Sequence, residues 1–402
     1  TTGNIFSSCT DDFEKLNTSN IQVDPADLPF AAQCTEPMTY CYPPQQNMFQ
    51  FWTNLTIDLY GGYFMTPNGN FTNGDMGENR GHSGGMYENY YLHIFNNTRR
   101  IIAQCDASGE RGLSGVMRIV QAYGTLMTTD AYGPIPYSSI LSGENEVYFE
   151  FDSQKDLYKA MLEDLSTAIT DISAMGADEI AKLKSFDCWC NGDKDLWVKI
   201  ANTMKLRMAL RLSKRETEAG NAGMNLKAIA TEAAQNTLAT VNKDILIDKS
   251  LENEMWLMFN WGDCGFNANL VTIMSGTKDP RQPLYMTLNT GDIKNEAGTT
   301  TVAANSQYLG IRFASGLPAK PNSWGNFSGW IQGNNGSSYS MPLPIMKAAE
   351  AYFLLAEAKL RWDIGSESVK NLYENGIRVS MTNELAYRGA YAGIKEYPEG
   401  AV

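Results

Sequence analysis

Apolar residues recur at helical spacing through most of this chain. Phe51, Leu55 and Leu59 mark a first helix over 48–64, and segments 87–105 and 113–128 predict two more, joined by a short Ser108-Gly109 turn. The third is expected to stop at Asp130-Ala-Tyr-Gly-Pro134, because neither Gly nor Pro continues a helix well. Asp152-Ser153-Gln154 reads as an N-terminal cap, behind which Leu157, Met161, Leu165 and Ile169 share one face. Trp197, Ile200, Met204, Met208 and Leu212 line the next helix, with Lys205, Arg207 and Arg211 assigned to its polar side. A further helical segment covers 224–238, and a last pair is predicted at 344–362 and 366–381.

Two regions break that period. Residues 10–45 predict an extended lead-in punctuated by Pro25, Pro29, Pro37, Pro43 and Pro44. Residues 250–340 are rich in Gly, Asn, Ser and Thr, with Trp256, Trp261, Trp324 and Trp330 among them, and predict long loops with short strands. The expected fold class is therefore mainly α, with tetratricopeptide-like helical hairpins as scaffold and a loop-rich, short-strand ligand-binding region. The expected division is a terminal remnant over 1–9, then a single domain over 10–402. Within that domain the scaffold covers 46–240 and 341–390, and the loop-rich insertion covers 241–340.

Composition narrows the chemistry. The 402 residues carry 32 Lys+Arg against 45 Asp+Glu, a net charge of −13, and only two histidines, His82 and His93. A pI near 4.8 argues against nucleic acid and against a polybasic membrane patch. Two histidines leave little for His-based nucleophilic or zinc catalysis, so by composition the chain is a poor enzyme. No apolar run reaches the ~18 residues of a membrane span. The seven cysteines include no C-x-x-C pair. Buried or loop thiols are expected for most of them, one or two disulfides among Cys34, Cys41, Cys188, Cys190 and Cys264 being the alternative if the chain is exported. Cys9 differs, because Phe6-Ser7-Ser8-Cys9 has the apolar-small-small-Cys form of a bacterial lipoprotein cleavage site.

Six segments in order resemble the SusD/RagB-like family of outer-membrane nutrient-binding lipoproteins, closest to its second SusD-like branch. They are the mature start Cys9-Thr-Asp-Asp-Phe, the turn Asp130-Ala-Tyr-Gly-Pro-Ile-Pro-Tyr137, and the helix Asp195 to Lys214 with Trp197, Lys199, Asn202 and Arg207. Asp279-Pro-Arg281, Ala348 to Ala358, and Gly376-Ile-Arg378 complete the set. The resemblance implies lipidation at Cys9, with Asp11-Asp12 as a surface-export signal. It also implies a lid over a SusC-type TonB-dependent outer-membrane transporter, and capture of oligosaccharides, or of peptides in the RagB branch, without catalysis. The family usually continues with a Trp- and Arg-rich segment past the point where this sequence stops, so a truncated end or a disordered tail is expected. A helical adaptor without small ligand is a third reading.

Sugar recognition needs flat apolar faces, with amides or carboxylates at the rim. Trp261, Phe266 and Asn267 form one candidate group, and Trp324 and Trp330 a second. Asn73, Asp75 and Arg80, in the glycine-rich stretch 64–87, form a third. Trp189, between two cysteines, is a further candidate for exposure. Asn191, Asp193 and Asp195 alternate oxygens that could seat Ca²⁺, the one cofactor considered. They lack the downstream Gly and bidentate Glu of a calcium loop, so helix capping explains them better. Glu350 and Glu357 are too far apart along one helix to act as a glycosidase pair. Glu350 is expected to bond across to the helix bearing Arg207 and Arg211.

Overall fold

The computed structural model describes residues 28–42, 46–68, 71, 77, 79–142, 148–247, 253–295, 297–313, 326–333, 336 and 340–401. Cys9 lies outside them. The lead-in is not extended throughout, since helix α1 (Phe30–Tyr40) forms within it and contains Pro37. Gln33, Cys34, Pro37 and Met38 are buried together on one face. Packing of that face outweighs the backbone donor that Pro37 lacks.

After α1 come α2 (Phe49–Asp58), wound as a π-helix, then α3 (Asn96–Ser108) and α4 (Arg111–Tyr132). Helices α5 (Gln154–Ser173), α6 (Ala177–Lys184), α7 (Lys194–Arg211) and α8 (Leu226–Ala233) follow. Gly109, at φ +78°, reverses the chain between α3 and α4. Antiparallel packing then proceeds along the chain, α3 on α4, α4 on α5, α5 on α7 and α7 on α8. Gly124 sets one of these approaches. A Cβ there would lie 2.8 Å from Ile94 Cγ2, inside the π-type turn Tyr90–Phe95 that precedes α3.

Helix α7 is buried on almost every side, so the polar face expected for Lys205 and Arg207 does not exist. Lys205, 2% exposed, sends its ammonium out to Glu232 at 3.0 Å. Arg207 is bidentate to Glu350, both bonds 2.6 Å, and this is the cross-helix pair expected from the sequence. Arg211 pairs with Asp130, whose other oxygen accepts from Tyr158 Oη at 2.6 Å. Two of the family-like segments are thus joined by one carboxylate.

The loop before α7 is organised by Asp187. Its carboxylate accepts from the backbone N–H of Trp189, Cys190 and Gly192 and from Trp197 Nε1, all at 2.8–3.0 Å. Trp189 is 4% exposed, stacked on Trp197 at 5.2 Å, and donates to the Met38 carbonyl at 3.1 Å. It is therefore a core residue and not a surface one. Asp193 caps α7 by accepting from the N–H of Asp195 and Leu196. Cys34, Cys41, Cys105, Cys190 and Cys264 are buried free thiols, as the buried-thiol reading of the sequence expects.

Strands are short and pair two by two. In chain order they are β1 (Phe64–Met65), β2 (Ile135–Pro136), β3 (Phe151–Asp152), β4 (Ile245–Ile247) and β5 (Gly265–Phe266), then β6 (Met286–Asn289), β7 (Ile293–Lys294), β8 (Thr300–Val302), β9 (Ser328–Trp330) and β10 (Leu343–Met346). The antiparallel pairs are β1–β5, β2–β3, β4–β10, β6–β9 and β7–β8. Strand β10 occupies residues where a helix start was expected. Pairing with β4 and the restriction that Pro344 places on its neighbour keep 343–346 extended, so α11 (Ala348–Trp362) begins later. Short helices α9 (Glu254–Asn260) and α10 (Ala268–Gly276) lie in the loop-rich region, and α12 (Val369–Ala392) runs well past 381.

A buried ionic chain joins α12 to that region. Arg388 Nε donates to Glu384 Oε2 at 2.6 Å, and Lys347 Nζ reaches Glu384 at 2.8 Å and Asp244 at 3.1 Å. The Arg388 guanidinium also lies over the rings of Tyr387, Tyr285 and Trp330, at 4.9, 5.0 and 5.3 Å. Burial raises the Glu384 carboxyl, but Arg388 and Lys347 outweigh it and hold the pKa below the usual range.

Two stability measurements follow. Gly124→Ala improves helix propensity by about 1 kcal/mol, yet crowding Ile94 costs roughly 1–3 kcal/mol, so Tm should fall. Glu384→Leu should cost about 3–5 kcal/mol in urea unfolding by stranding Arg388. Adding Arg388→Met should return part of that loss and not deepen it.

Candidate ligand-binding face

The π-helix α2 and the 263–267 loop are sewn together by amides. Gln50 Nε2 and Asn68 Nδ2 donate to the two oxygens of buried Asp263, each at 2.9 Å, and Asn54 Nδ2 approaches Cys264 Sγ at 3.1 Å. Wide π turns are frequent at functional sites, because the extra residue re-aims the side chains around it. Above this seam, β1 pairs with β5 so that Phe64 faces Phe266. Phe64, Phe259, Phe266 and Trp330 form one ring cluster, with centroid separations of 4.9–6.2 Å.

This cluster corrects part of the sequence reading. Phe266 and Trp330 are 1% and 4% exposed, and they form the small core of the loop region instead of presenting faces to a ligand. Asn267, also 1% exposed, caps α10 by accepting from the Asn269 N–H at 2.9 Å. A segment rich in Gly and Asn still needs an apolar interior, and these residues supply it. Trp261 is partly buried at the end of α9, against the same cluster. Arg80 is exposed and opens the helical turn Arg80–Ser83, which Asn79 caps. Asn73, Asp75 and Trp324 lie outside the described residues.

What the fold does expose is a pair of tyrosines that the sequence reading passed over. Tyr60 and Tyr63, 39% and 54% exposed, flank Gly61-Gly62 directly after α2. The Tyr63 carbonyl accepts from the Asn267 N–H at 3.0 Å, which fixes the turn against α10. At Gly62, φ +74°, a Cβ would lie 3.7 Å from the Asn269 amide nitrogen, so exposed Asn269 borders the tyrosines. Tyr60 Oη donates to the Gly77 carbonyl at 2.8 Å, and Phe51 stacks on His82 at 4.5 Å, with Phe71 edge-on to the same ring. Phe71, Gly77 and His82 are thus tied to α2 and its end. The clue in the sequence was Tyr-Gly-Gly-Tyr at a helix end, where aromatics have no helical face to bury in.

Titration beneath this face is shifted by burial. Desolvation pushes the Asp58 carboxyl, at the end of α2, up to about 7. It also lowers the His82 imidazole and raises the Cys264 thiol. Among the described residues no group of three or more His, Cys, Asp or Glu side chains could hold a metal ion, and no helix is long and apolar enough to cross a membrane.

A family profile described as Susd and RagB outer membrane lipoprotein matches residues 14–397. Among solved structures, a SusD-like protein from Bacteroides thetaiotaomicron is similar at 26% identity and TM-score 0.73, over 90% of this chain and 71% of that one. A SusD homologue from Bacteroides vulgatus is similar at 25% identity and TM-score 0.70, over 89% and 70%. A chitin-binding SusD homologue from Flavobacterium johnsoniae, at 23% identity, shares the fold with TM-score 0.74 over 88% and 70%. No curated protein matches.

Asp58 gives this region a pH signature. Its folded pKa is raised above the unfolded value, so its favourable contribution is complete below pH 4 and is lost as pH rises through about 7. Asp58→Asn should therefore raise Tm at pH 8 and leave it nearly unchanged at pH 4, with the gain growing between those limits in thermal scans.

Proposed function

Since the chain belongs to the SusD-like family of outer-membrane lipoproteins, we propose that it is a cell-surface binding protein that captures oligosaccharides and delivers them to a SusC-type TonB-dependent transporter. The observation that carries the glycan reading is the exposed Tyr60–Tyr63 pair beside Asn269, held by the β1–α10 junction. Two ring faces can receive the C–H side of pyranose units, and the neighbouring amide can bond their hydroxyls. A backbone turn already fixed by pairing loses little freedom when a ligand arrives. Trp261 and Arg80 extend the same surface in this reading. A lipid on Cys9 anchors the chain to the outer membrane.

The relative described as chitin-binding supports the ligand class, although its likeness at 23% identity extends to fold alone. Capture without bond cleavage is the chemistry proposed. Glu350 and Glu357, the carboxylates that hydrolysis would recruit, are each bonded to an arginine, Arg207 and Arg361, at 2.6 Å.

Isothermal titration against hexasaccharides of chitin, cellulose, starch and xylan tests this. At least one should bind, and Tyr63→Ala should weaken it by roughly tenfold, the loss of one aromatic contact and its buried area. Binding of peptides together with silence towards every saccharide would overturn the glycan reading.

A further inference from the structure

The scaffold also carries a concavity, built from other elements than the tyrosine face. It is a cavity of about 430 Å³ between the helical turn Glu216–Asn221, the start of α8 and the end of α11. Its aromatic wall is Trp362, the last residue of α11, which packs against a hydrophobic cluster while Nε1 donates to Glu216 Oε1 at 2.6 Å. That bond and that packing hold the indole in place. Gly220 and Gly223 also line the cavity, and a Cβ at either would meet nothing within 4 Å.

Asn225 and Lys227 complete the rim. The Asn225 side-chain oxygen accepts from the Ala228 N–H at 3.1 Å to cap α8, which leaves its amide donors outside that bond. Lys227 lies within electrostatic reach of Asp363, which Lys359 already pairs. The lining therefore offers a fixed indole, a carboxylate, an amide and an ammonium, with Glu216 and Lys227 cancelling in charge. A phosphorylated ligand would need a surplus of cations, and an extended peptide a strand edge; no described strand borders this cavity. A flat ring with mixed donors and acceptors in this volume suits an uncharged polyhydroxylated ring.

We propose that the Trp362 cavity is a second saccharide-binding subsite, a reading that rests on the glycan function proposed above. It stacks a pyranose ring on the indole and bonds its hydroxyls through Glu216 and Asn225. Two subsites on one chain let a polysaccharide bind at both, so that the second contact is made at high effective concentration.

Titration of the full chain with trisaccharides from chitin, cellulose, starch and xylan should show two sites for the one that binds. Trp362→Ala should weaken one of them roughly five- to tenfold. A Cβ at Gly220 meets nothing within 4 Å, so Gly220→Leu should block the same site with little change in Tm. Tyr63→Ala should weaken only the other, by roughly tenfold. If both the Trp362 and Gly220 variants keep the parent's stoichiometry and affinity, the subsite is refuted while the tyrosine face stands. If the unmodified chain binds no saccharide, both readings fall. Displacement of the saccharide site by a peptide that binds at Trp362 alone overturns the ligand class.

Discussion

The guanidinium of Arg388 is the constraint on which the loop-rich region depends. Taking a cation out of water costs several kcal/mol unless its neighbours replace the lost hydration. Here the replacement comes from two directions. Glu384, one turn earlier on α12, supplies the countercharge, while Tyr285 and Trp330 from the loop region supply ring faces. Neither source can leave without exposing the other's cost. Because Glu384 is shared with Lys347, and Lys347 with Asp244, the requirement extends to the start of α11 and the approach to β4. Short strands and Gly-rich turns would not hold one arrangement by themselves, and this ionic chain gives them one.

The scaffold was legible because its information is local. Leu157, Met161 and Leu165 lie at helical spacing and are all buried, and Ser153 caps their helix by accepting from the Asp156 N–H. Glu350 to Arg207 could be anticipated once both were placed on packed helices. The loop region was not legible in the same way. Gln50 and Asp263 are 213 positions apart, so nothing near either residue signals that they bond. Phe266 and Trp330 looked like surface aromatics because their sequence neighbours are polar, and it takes β1 and Arg388 to bury them. Pro37 misled in the other direction, as a helix-breaking residue inside a helix whose buried face matters more.

The tyrosine face and its support divide the work between exposed and hidden groups. Tyr60 and Tyr63 can meet a ligand because Gly61-Gly62 turns the chain sharply after α2 and Asn267 locks the turn from below. The amides of Gln50, Asn54 and Asn68 do the holding. Asn267 was expected at the ligand and instead positions the segment that carries the rings. A residue type suited to sugars is equally suited to capping a helix, and only burial separates the two roles.

The β4–β10 pair has a consequence for how such a protein can change. It clasps the two ends of the chain segment running from 248 to 342, so whatever lies between begins and finishes at adjacent points. Closing a loop grows costlier only slowly with its length, by about 0.6 kcal/mol for each doubling. Residues can therefore be added, removed or exchanged inside that clasp at small thermodynamic expense, provided the clasp and Arg388's partners survive. Heritable variation in ligand preference can then accumulate on one side of two short strands, while the hairpins on the other side remain a fixed platform.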